Sequence, residues 1–269
     1  MAPKNPGNPV TAVPSKSKFA ESILLISHRF SLFTVFDDFL TLAIAACTQN
    51  LETRKSWYED EYLKTIAKYK DLDVRQEFPK AFASLILEME DRLSSPLGND
   101  VLGEFFEEHI SNGRNGQFFT PNHICQLMVA MGHKESEEKK PLRIIDPTCG
   151  SGRMLLASSK LHGQEHEYYG IDIDRTCVKM TALNLFLNGV FNSEVLCANA
   201  LLPGDFVISY RISFVPLGIF KIENKEDSRL WHLQNNFFTT HDKKGAEIIL
   251  DQTPFNERNK DDSVQLGLF

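Results

Sequence analysis

Hydrophobic residues recur at helical spacing through the first part of the chain, from Phe19 to about Ile110. Positions three and four apart fall on one side of an α-helix, so this pattern predicts helices that each bury one face. Three stretches carry it, with apolar positions Ile23, Leu24, Phe30, Phe33, Phe36, Phe39, Leu40 and Ile44 in the first, Trp57, Tyr58, Tyr62, Ile66 and Tyr69 in the second, and Phe82, Leu85, Ile86, Leu87 and Met89 in the third. We therefore predict an N-terminal all-α lobe whose aromatic side chains lie in its core rather than at a ligand.

The pattern changes after a charged connector at 134–140. Short apolar runs then alternate with helical stretches, in the order 142–145, 154–161, 168–171, 176–187 and 194–197. Strands that alternate with helices are typical of a doubly wound parallel sheet, whose ligands bind beyond the carboxyl ends of the strands. The run 206–220 predicts a further β-hairpin. The expected fold class is therefore α/β, a doubly wound Rossmann-like domain that follows the helical lobe.

The same patterns divide the chain into segments. Residues 1–18 hold four prolines among polar residues and no apolar run, which predicts a disordered tail. We assign 19–112 to the helical domain and 113–256 to the α/β domain. Residues 257–269 form a predicted C-terminal tail.

Composition narrows the class of protein. Hydrophobic residues make up 42% of the chain and charged residues 24%, the proportions of a soluble globular protein. The most apolar stretch, 32–47, is interrupted by Asp37 and Asp38 and is shorter than the roughly 20 residues of a membrane span. The five cysteines form no CxxC pair, so we expect neither a metal site nor a disulfide framework. These features favour a cytoplasmic protein without a membrane segment.

A glycine-rich turn, Asp146–Gly152, follows the first predicted strand. Gly150 and Gly152 permit positive φ and a close approach of the backbone to a ligand. The helix after the turn directs its N-terminal N–H groups to the same place. Asp146 is placed to accept from a ligand ammonium group. Polar residues also end the next two strands, where Asp172 could bind ribose hydroxyls and Asn199 an adenine amino group.

Another kind of nucleotide-binding loop is the alternative. The turn lacks the GxGxxG spacing of dinucleotide sites, and no lysine that could grip a phosphate follows the glycines. A single glycine turn would be weak support for any ligand. The ordered set of strand-end residues is more specific.

Two motifs carry a resemblance to a known family. The segment DPTCGSGRML, residues 146–155, is similar to the DPxCGSGxxL motif of modification subunits of type I restriction-modification systems and related N6-adenine DNA methyltransferases. Upstream, 116–121 resembles the GxFFTP signature of that family. The preceding segment 101–106 also resembles the corresponding sequence of the family. The resemblance covers roughly residues 20 to 202, and it implies an S-adenosylmethionine-dependent methyltransferase fold.

The resemblance also implies roles for individual residues. Asp146 and Gly150 would hold the methionine part of the cofactor, Asp172 the ribose and Asn199 the adenine. The full implied cofactor set is Phe119, Thr120, Pro121, Asp146, Thr148, Gly150, Gly152, Asp172, Ile173 and Asn199. Family members usually carry Asp where this chain has Asn199, a change that keeps the acceptor oxygen but removes the charge. For Asp172 the alternative role is a helix N-cap, although Asp174, directly before the helix, is the better candidate for a cap.

The catalytic tetrapeptide of the family, (N/D)PP(F/Y), has no exact copy in the chain. Residues 252–255 resemble a degenerate copy in which Gln252 takes the amide position and Pro254 and Phe255 match, so that 203–245 is a candidate insertion. Coincidence is the alternative interpretation. Gln is one methylene longer than Asn, and a displacement of about 1 Å can cost a hundredfold in rate.

Three functional hypotheses follow. The first is an S-adenosylmethionine-dependent adenine-N6 DNA methyltransferase of the modification-subunit kind, which would place a methyl group on a flipped adenine. The second is a non-catalytic cofactor-binding adaptor or regulatory DNA-associated protein derived from such an enzyme. In the third, partner subunits of a restriction-modification system supply missing parts. The formal net charge of −7 favours help from a partner, since DNA binding by one chain alone favours a basic face.

The last five residues, QLGLF, predict a further binding partner. They resemble the QL(S/D)LF peptide by which bacterial replication proteins bind the sliding clamp, and the residues concerned would be Gln265, Leu266, Leu268 and Phe269. The alternative is a tail that folds back on its own domain.

Overall fold

The computed structural model describes residues 17–48, 57–92, 99–111, 119–132, 141–202 and 204–236. Its helices are α1 Lys18–Ser27, α2 Leu32–Cys47, α3 Glu59–Ile66, α4 Leu72–Asp91, α5 Val101–Phe105, α6 Asn122–Gly132, α7 Arg153–His162, α8 Arg175–Leu187 and α9 at 229–236. Its strands are β1 Arg143–Asp146, β2 Glu167–Asp172, β3 Ser193–Cys197, β4 Ile208–Ser213 and β5 Gly218–Ile222. A π-helical turn, Phe106–Ser111, continues α5.

The first apolar stretch forms two helices, where the sequence pattern predicts one. Polar residues 27–29 interrupt the stretch, and α2 begins only after Ser31. The two helices then pack on different neighbours, α1 on α4 and α2 on α3 and α8. A continuous helix could not make both sets of contacts.

Burial of the aromatic residues in the lobe agrees with the prediction at most positions, and Phe19, Phe36, Phe39 and Tyr69 are buried. Two aromatic residues differ. Phe33 is 48% exposed and Trp57 is 59% exposed. Trp57 precedes α3 instead of lying within it, and its ring packs edge-on against Phe220 at the rim of the sheet.

The five strands form one sheet in sequence order. Strands β1, β2 and β3 are parallel, as predicted, and the predicted hairpin adds β4 and β5 in antiparallel orientation. Helices α7 and α8 contact the strands on one side. Helix α9 contributes Leu230 to a separate cluster with Tyr169, Ile171 and Leu196, so the sheet carries helices on both faces. The α/β prediction is confirmed.

One hydrophobic core joins the lobe to the sheet. Phe36 and Phe106 from the lobe belong to the same buried cluster as Leu183 of α8 and Val195 of β3. The lobe also covers the outer edge of β5, where Thr48 and Tyr58 bond to the backbone of that strand. Because of this shared core, residues of the lobe can take part directly in a site built on the sheet.

None of the helices in the described ranges combines the length and apolar composition that spanning a bilayer requires. Of the predicted tails, residues 1–16 and 257–269 lie outside the described residues. The predicted end of the first tail at residue 18 is too late, because Ser17 caps α1 and Lys18 is its first residue. The division at residue 112 and the insertion at 203–245 stay predictions.

Candidate functional site

Three polar residues predicted to contact a ligand lie at one edge of the sheet. Asp146 ends β1, Asp172 ends β2, and Asn199 follows β3 by two residues. The register pairs Asp146 with Gly170 and Asp172 with Cys197, so the ends of the parallel strands are adjacent. The structure therefore brings the three strand ends to one edge.

The glycine turn adopts the backbone conformation that its residues predict. Gly150 has φ +55° and Gly152 has φ +90°, both in the left-handed region that favours glycine. The turn is tied to β2, because Cys149 N donates to Ile171 O at 2.8 Å and Gly150 N donates to Asp172 Oδ2 at 2.9 Å. Helix α7 starts directly after Gly152 and directs its first N–H groups toward this edge.

Asp146 is a buried carboxylate, 9% exposed. Its Oδ1 accepts from Thr148 N at 3.1 Å, and it has no ion pair among the described residues. Burial raises the pKa of Asp146 to about 6, and the charge of Asp172 adds to the rise, whereas the bond from Thr148 lowers it. A cationic ligand would stabilise the ionised form of a carboxylate that burial has desolvated in this way.

The alternative role of Asp172 as a helix cap is settled by the geometry. Asp174 is the N-cap of α8, and its side chain accepts from Thr176 N at 2.7 Å. Asp172 instead accepts from Gly150 N with one oxygen and from Asp174 N with the other. Burial raises the pKa of Asp172, and the backbone bonds from Asp174 and Gly150 act against the rise.

Asn199 uses its amide locally. Its side-chain Oδ1 accepts from Leu201 N at 3.0 Å, while its backbone N–H donates to Asp205 Oδ2 at 2.7 Å. Asp205 therefore supplies a carboxylate beside the position where the family usually has Asp. Sequence reasoning missed Asp205, because it lies in the loop after the strand end and outside the motif.

The Phe119 segment lies against the glycine turn. A Cβ added to Gly150 would come within 2.7 Å of the Phe119 ring, which stacks on Phe106 with centroids 5.7 Å apart. Thr120 and Pro121 follow as exposed residues, and Pro121 O accepts from the backbone N–H groups of Ile124 and Cys125 in α6. The two motifs that carry the resemblance thus meet at Gly150.

Two predicted ligand contacts are open to solvent. Thr148 is exposed in the turn, and Ile173 is 74% exposed after β2. Thr148 lies close to Asp146 and Ile173 follows Asp172, so a ligand at this edge could cover both. The predicted catalytic residues Gln252, Pro254 and Phe255 lie outside the described residues, as do 112–118 and the clamp motif.

Three charged residues of this region escaped the sequence reasoning. Asp100, Glu107 and Arg153 form an ion-paired cluster below the glycine turn, in which Asp100 and Arg153 are buried and Glu107 is part-buried. Arg153 lies inside the recognised motif and Asp100 directly precedes the recognised run 101–106. Proximity to both motifs is therefore the signal that could have found them.

Comparison with known proteins finds a family similar to the segment that carries this geometry. Residues 98–216, which contain the glycine turn and all three parallel strands, match the model of the N-6 DNA Methylase family. Within this chain, residues 98–216 are therefore similar to the N-6 DNA Methylase family. Residues 98–216 also include Asp100, Glu107 and Arg153, so the family segment extends into the helical lobe.

Relatives of this chain include proteins of restriction-modification systems. It is 27% identical over 194 residues to the type I restriction enzyme MpnII methylase subunit of Mycoplasma pneumoniae, which covers 67% of this chain and 35% of the relative. It is 29% identical over 141 residues to the type II restriction enzyme and methyltransferase RM.BcgI of Heyndrickxia coagulans, covering 45% of this chain and 21% of the relative. The chain thus spans about a third of the first relative's length and about a fifth of the second's.

A solved structure is also similar to part of the chain. The methyltransferase subunit of a type I restriction-modification system from Streptococcus thermophilus matches with a TM-score of 0.34 and 16% identity, over 66% of this chain and 56% of that one.

Proposed function

We propose that this chain binds S-adenosylmethionine at the carboxyl edge of β1 to β3 and transfers its methyl group to N6 of adenine in DNA. The observation that carries the proposal is the position of two carboxylates beside the glycine turn. Asp146 is buried, and the part-buried Asp172 accepts a hydrogen bond from Gly150 N. The methylase subunits named above are the relatives that motivate the reaction.

The residues present fit this cofactor. Asp146 is a buried carboxylate without an ion pair in the described part of the chain, which suits an ammonium group. The Phe119 ring lies so close to Gly150 that an added Cβ would meet it at 2.7 Å, so the glycine allows the two motifs to pack together beside these carboxylates. Asp172 and the Asn199–Asp205 pair offer acceptors for ribose hydroxyls and an adenine amino group. When bound, the cofactor supplies an electrophilic methyl group on a sulfonium.

The chain's own contribution is placement. Direct transfer needs the adenine nitrogen and the methyl group in line, and proximity and orientation provide most of such an acceleration. In such a transfer the adenine N6 would bond to the methyl group as the methyl–sulfur bond breaks, and the amino proton would pass to solvent. The proposed target-base contacts are an amide at Gln252, a backbone carbonyl at Thr253 and a stacking ring at Phe255. Among the described residues β1 has a strand partner on one side only, β2.

A cofactor-binding adaptor is the second candidate function. The observation that favours it is the departure of Gln252 and Thr253 from the family's amide and first proline. An adaptor would keep the cofactor pocket while transfer is lost. For either function we propose DNA and subunits of a restriction-modification system as partners. We propose the cytoplasm as the location. The contact of residues 265–269 with a sliding clamp stays a prediction.

One experiment separates these functions. Calorimetry with S-adenosylmethionine measures binding, and transfer of a labelled methyl group to DNA of mixed sequence measures activity in the same preparation. Binding together with N6-methyladenine in the product supports the methyltransferase. Binding without transfer supports the adaptor, and the absence of binding contradicts both.

A further inference from the structure

Arg153, the first residue of α7, is buried between two carboxylates of the helical lobe. Its Nε donates to Asp100 Oδ2 at 2.6 Å, and its Nη2 lies 2.7 Å from Glu107 Oε2. The Asp100 side chain is 1% exposed, that of Arg153 7% and that of Glu107 31%. These three residues form a carboxylate–guanidinium–carboxylate chain, here called the relay.

Asp100 fixes one end of the relay to the glycine turn. Besides Arg153 it accepts from Ser151 Oγ at 2.5 Å and from Asn184 Nδ2 at 2.7 Å. Asn184 also donates to Ser151 O at 2.8 Å, so the turn is bound from two directions. The second residue of the GSG sequence is thereby held to the lobe.

Glu107 fixes the other end of the relay to the Phe119 segment. Its Oε1 accepts from Phe119 N at 2.9 Å, and the Arg153 guanidinium lies 5.5 Å from the centre of the Phe119 ring. The same ring closes over Gly150. The relay therefore joins the two segments that meet at the proposed cofactor pocket.

A buried ion pair is a weak source of net stability, because desolvation offsets most of its Coulombic gain. It does, however, fix geometry, since a guanidinium presents its N–H groups in a rigid plane. Burial lowers the pKa of Arg153, but Asp100 and Glu107 outweigh this and raise it. The relay stays charged, and its effect is to define the position of the groups that it joins.

The geometry points to Glu107 and Arg153 as positioning residues for S-adenosylmethionine, which hold the Phe119 ring in register with the glycine turn. This inference rests on the proposed function, because it concerns the same pocket. It also gives the helical lobe a direct role in cofactor binding, through Asp100 and Glu107.

The test compares Glu107→Ala, Glu107→Gln and Glu104→Ala in the full chain. Glu104 is the matched control, since it lies on α5 and pairs with Arg92 at 2.5 Å but has no bond to the turn or to Phe119. Calorimetry gives the affinity for S-adenosylmethionine and thermal unfolding gives Tm for each protein. A structural role alone would lower Tm in both alanine variants and leave affinity unchanged.

We expect Glu107→Ala to weaken cofactor binding by about tenfold or more, the scale of one lost charged hydrogen bond. Glu107→Gln keeps an acceptor for Phe119 N but loses the ion pair, so its affinity lies between the alanine variant and the wild type. Glu104→Ala binds as the wild type does. A wild-type protein that binds while Glu107→Ala binds equally well overturns the relay alone; a wild-type protein that does not bind overturns the proposed function and this inference with it.

Arg153→Lys tests the same inference independently, because it leaves Glu107 unchanged. Lysine keeps the charge but cannot bond to both carboxylates with one planar group, so the link between them is lost. We expect a folded protein with cofactor affinity reduced to the level of Glu107→Ala. Wild-type affinity in this variant would contradict the inference.

Discussion

The backbone N–H of Gly150 donates to Oδ2 of Asp172 across 2.9 Å. This bond connects the turn after β1 with the end of β2, so the proposed sites for the methionine and ribose parts of the cofactor are fixed relative to each other. The second oxygen of Asp172 accepts from Asp174 N. The carboxylate thus organises the backbone on both sides of the edge.

Removal of that carboxylate should affect binding more than folding. We expect Asp172→Ala to weaken S-adenosylmethionine binding by about 1.5–3 kcal/mol, the contribution of a hydrogen bond to a charged group. Asp174→Ala is the control, because it removes the cap of α8 and should cost about 1 kcal/mol of stability with little change in affinity. Calorimetry and thermal unfolding measure the two quantities. Equal affinities in both variants would argue against a ribose contact at Asp172.

Gly150→Ala tests the contact between the turn and Phe119. The new Cβ would meet the ring at 2.7 Å and would sit on a backbone of φ +55°. Gly189→Ala is matched for backbone strain, since Gly189 has φ +72° and no heavy atom closer than 3.4 Å to an added Cβ. Both should lose about 1–2 kcal/mol of stability from the left-handed conformation.

Only Gly150→Ala should also lose affinity for S-adenosylmethionine, because the Phe119 ring must move away from the turn. Binding isotherms of the two variants measure their affinities for S-adenosylmethionine. A loss of affinity in Gly189→Ala, or none in Gly150→Ala, would mean that the contact between turn and ring does not shape the pocket.

Local patterns were sufficient to predict the α/β part of the fold. The predicted strands and helices from 142 to 197 agree with β1, α7, β2, α8 and β3 within about one residue at each end. Apolar runs bounded by glycine and aspartate mark such elements well, and the choice of Asp174 as the cap followed from its position before the helix. The site residues at strand ends followed from the same pattern.

Features that depend on distant contacts could not be predicted. The break between α1 and α2 depends on which neighbours each helix packs against, which periodicity does not contain. Asp100 and Arg153 are 53 residues apart in the chain, so nothing local pairs them. Exposure of Trp57 likewise depends on the rim of the sheet, formed by residues more than 150 positions later.

The resemblance of residues 252–255 to the family's catalytic tetrapeptide can be tested by mutation. If methyl transfer occurs, Phe255→Ala should abolish most of it and leave cofactor affinity nearly unchanged, since stacking of one base is worth about 1–3 kcal/mol. Gln252→Asn combined with Thr253→Pro restores the family's amide and proline, and we expect it to raise the rate. Methylation assays with labelled cofactor measure both. Full activity in Phe255→Ala would show that the alignment is wrong.

The pKa of Asp146 predicts opposite effects of pH on stability and on binding. In the folded protein it is about 6, above the ordinary value of 3.8, because burial disfavours the carboxylate. Folding therefore favours the protonated form, so this group stabilises the cofactor-free protein fully below pH 3.8 and loses that contribution as pH rises through 6. Asp146→Asn, which resembles the protonated form, should gain stability relative to the wild type over this window, by up to about 1.4 kcal/mol per pH unit.

Binding should change in the other direction. The amino group of the cofactor remains protonated below pH 7, so its attraction to Asp146 grows as the carboxylate ionises. We expect wild-type affinity to fall by up to about tenfold per pH unit below pH 6, with a much smaller dependence in Asp146→Asn and a lower affinity at pH 7. Chemical unfolding and calorimetry between pH 4 and 7, on about six buffers of constant ionic strength, provide both curves. A wild-type affinity independent of pH across this range would remove Asp146 from the ammonium contact, because a buried carboxylate that faces a cation must lose that attraction when it binds a proton.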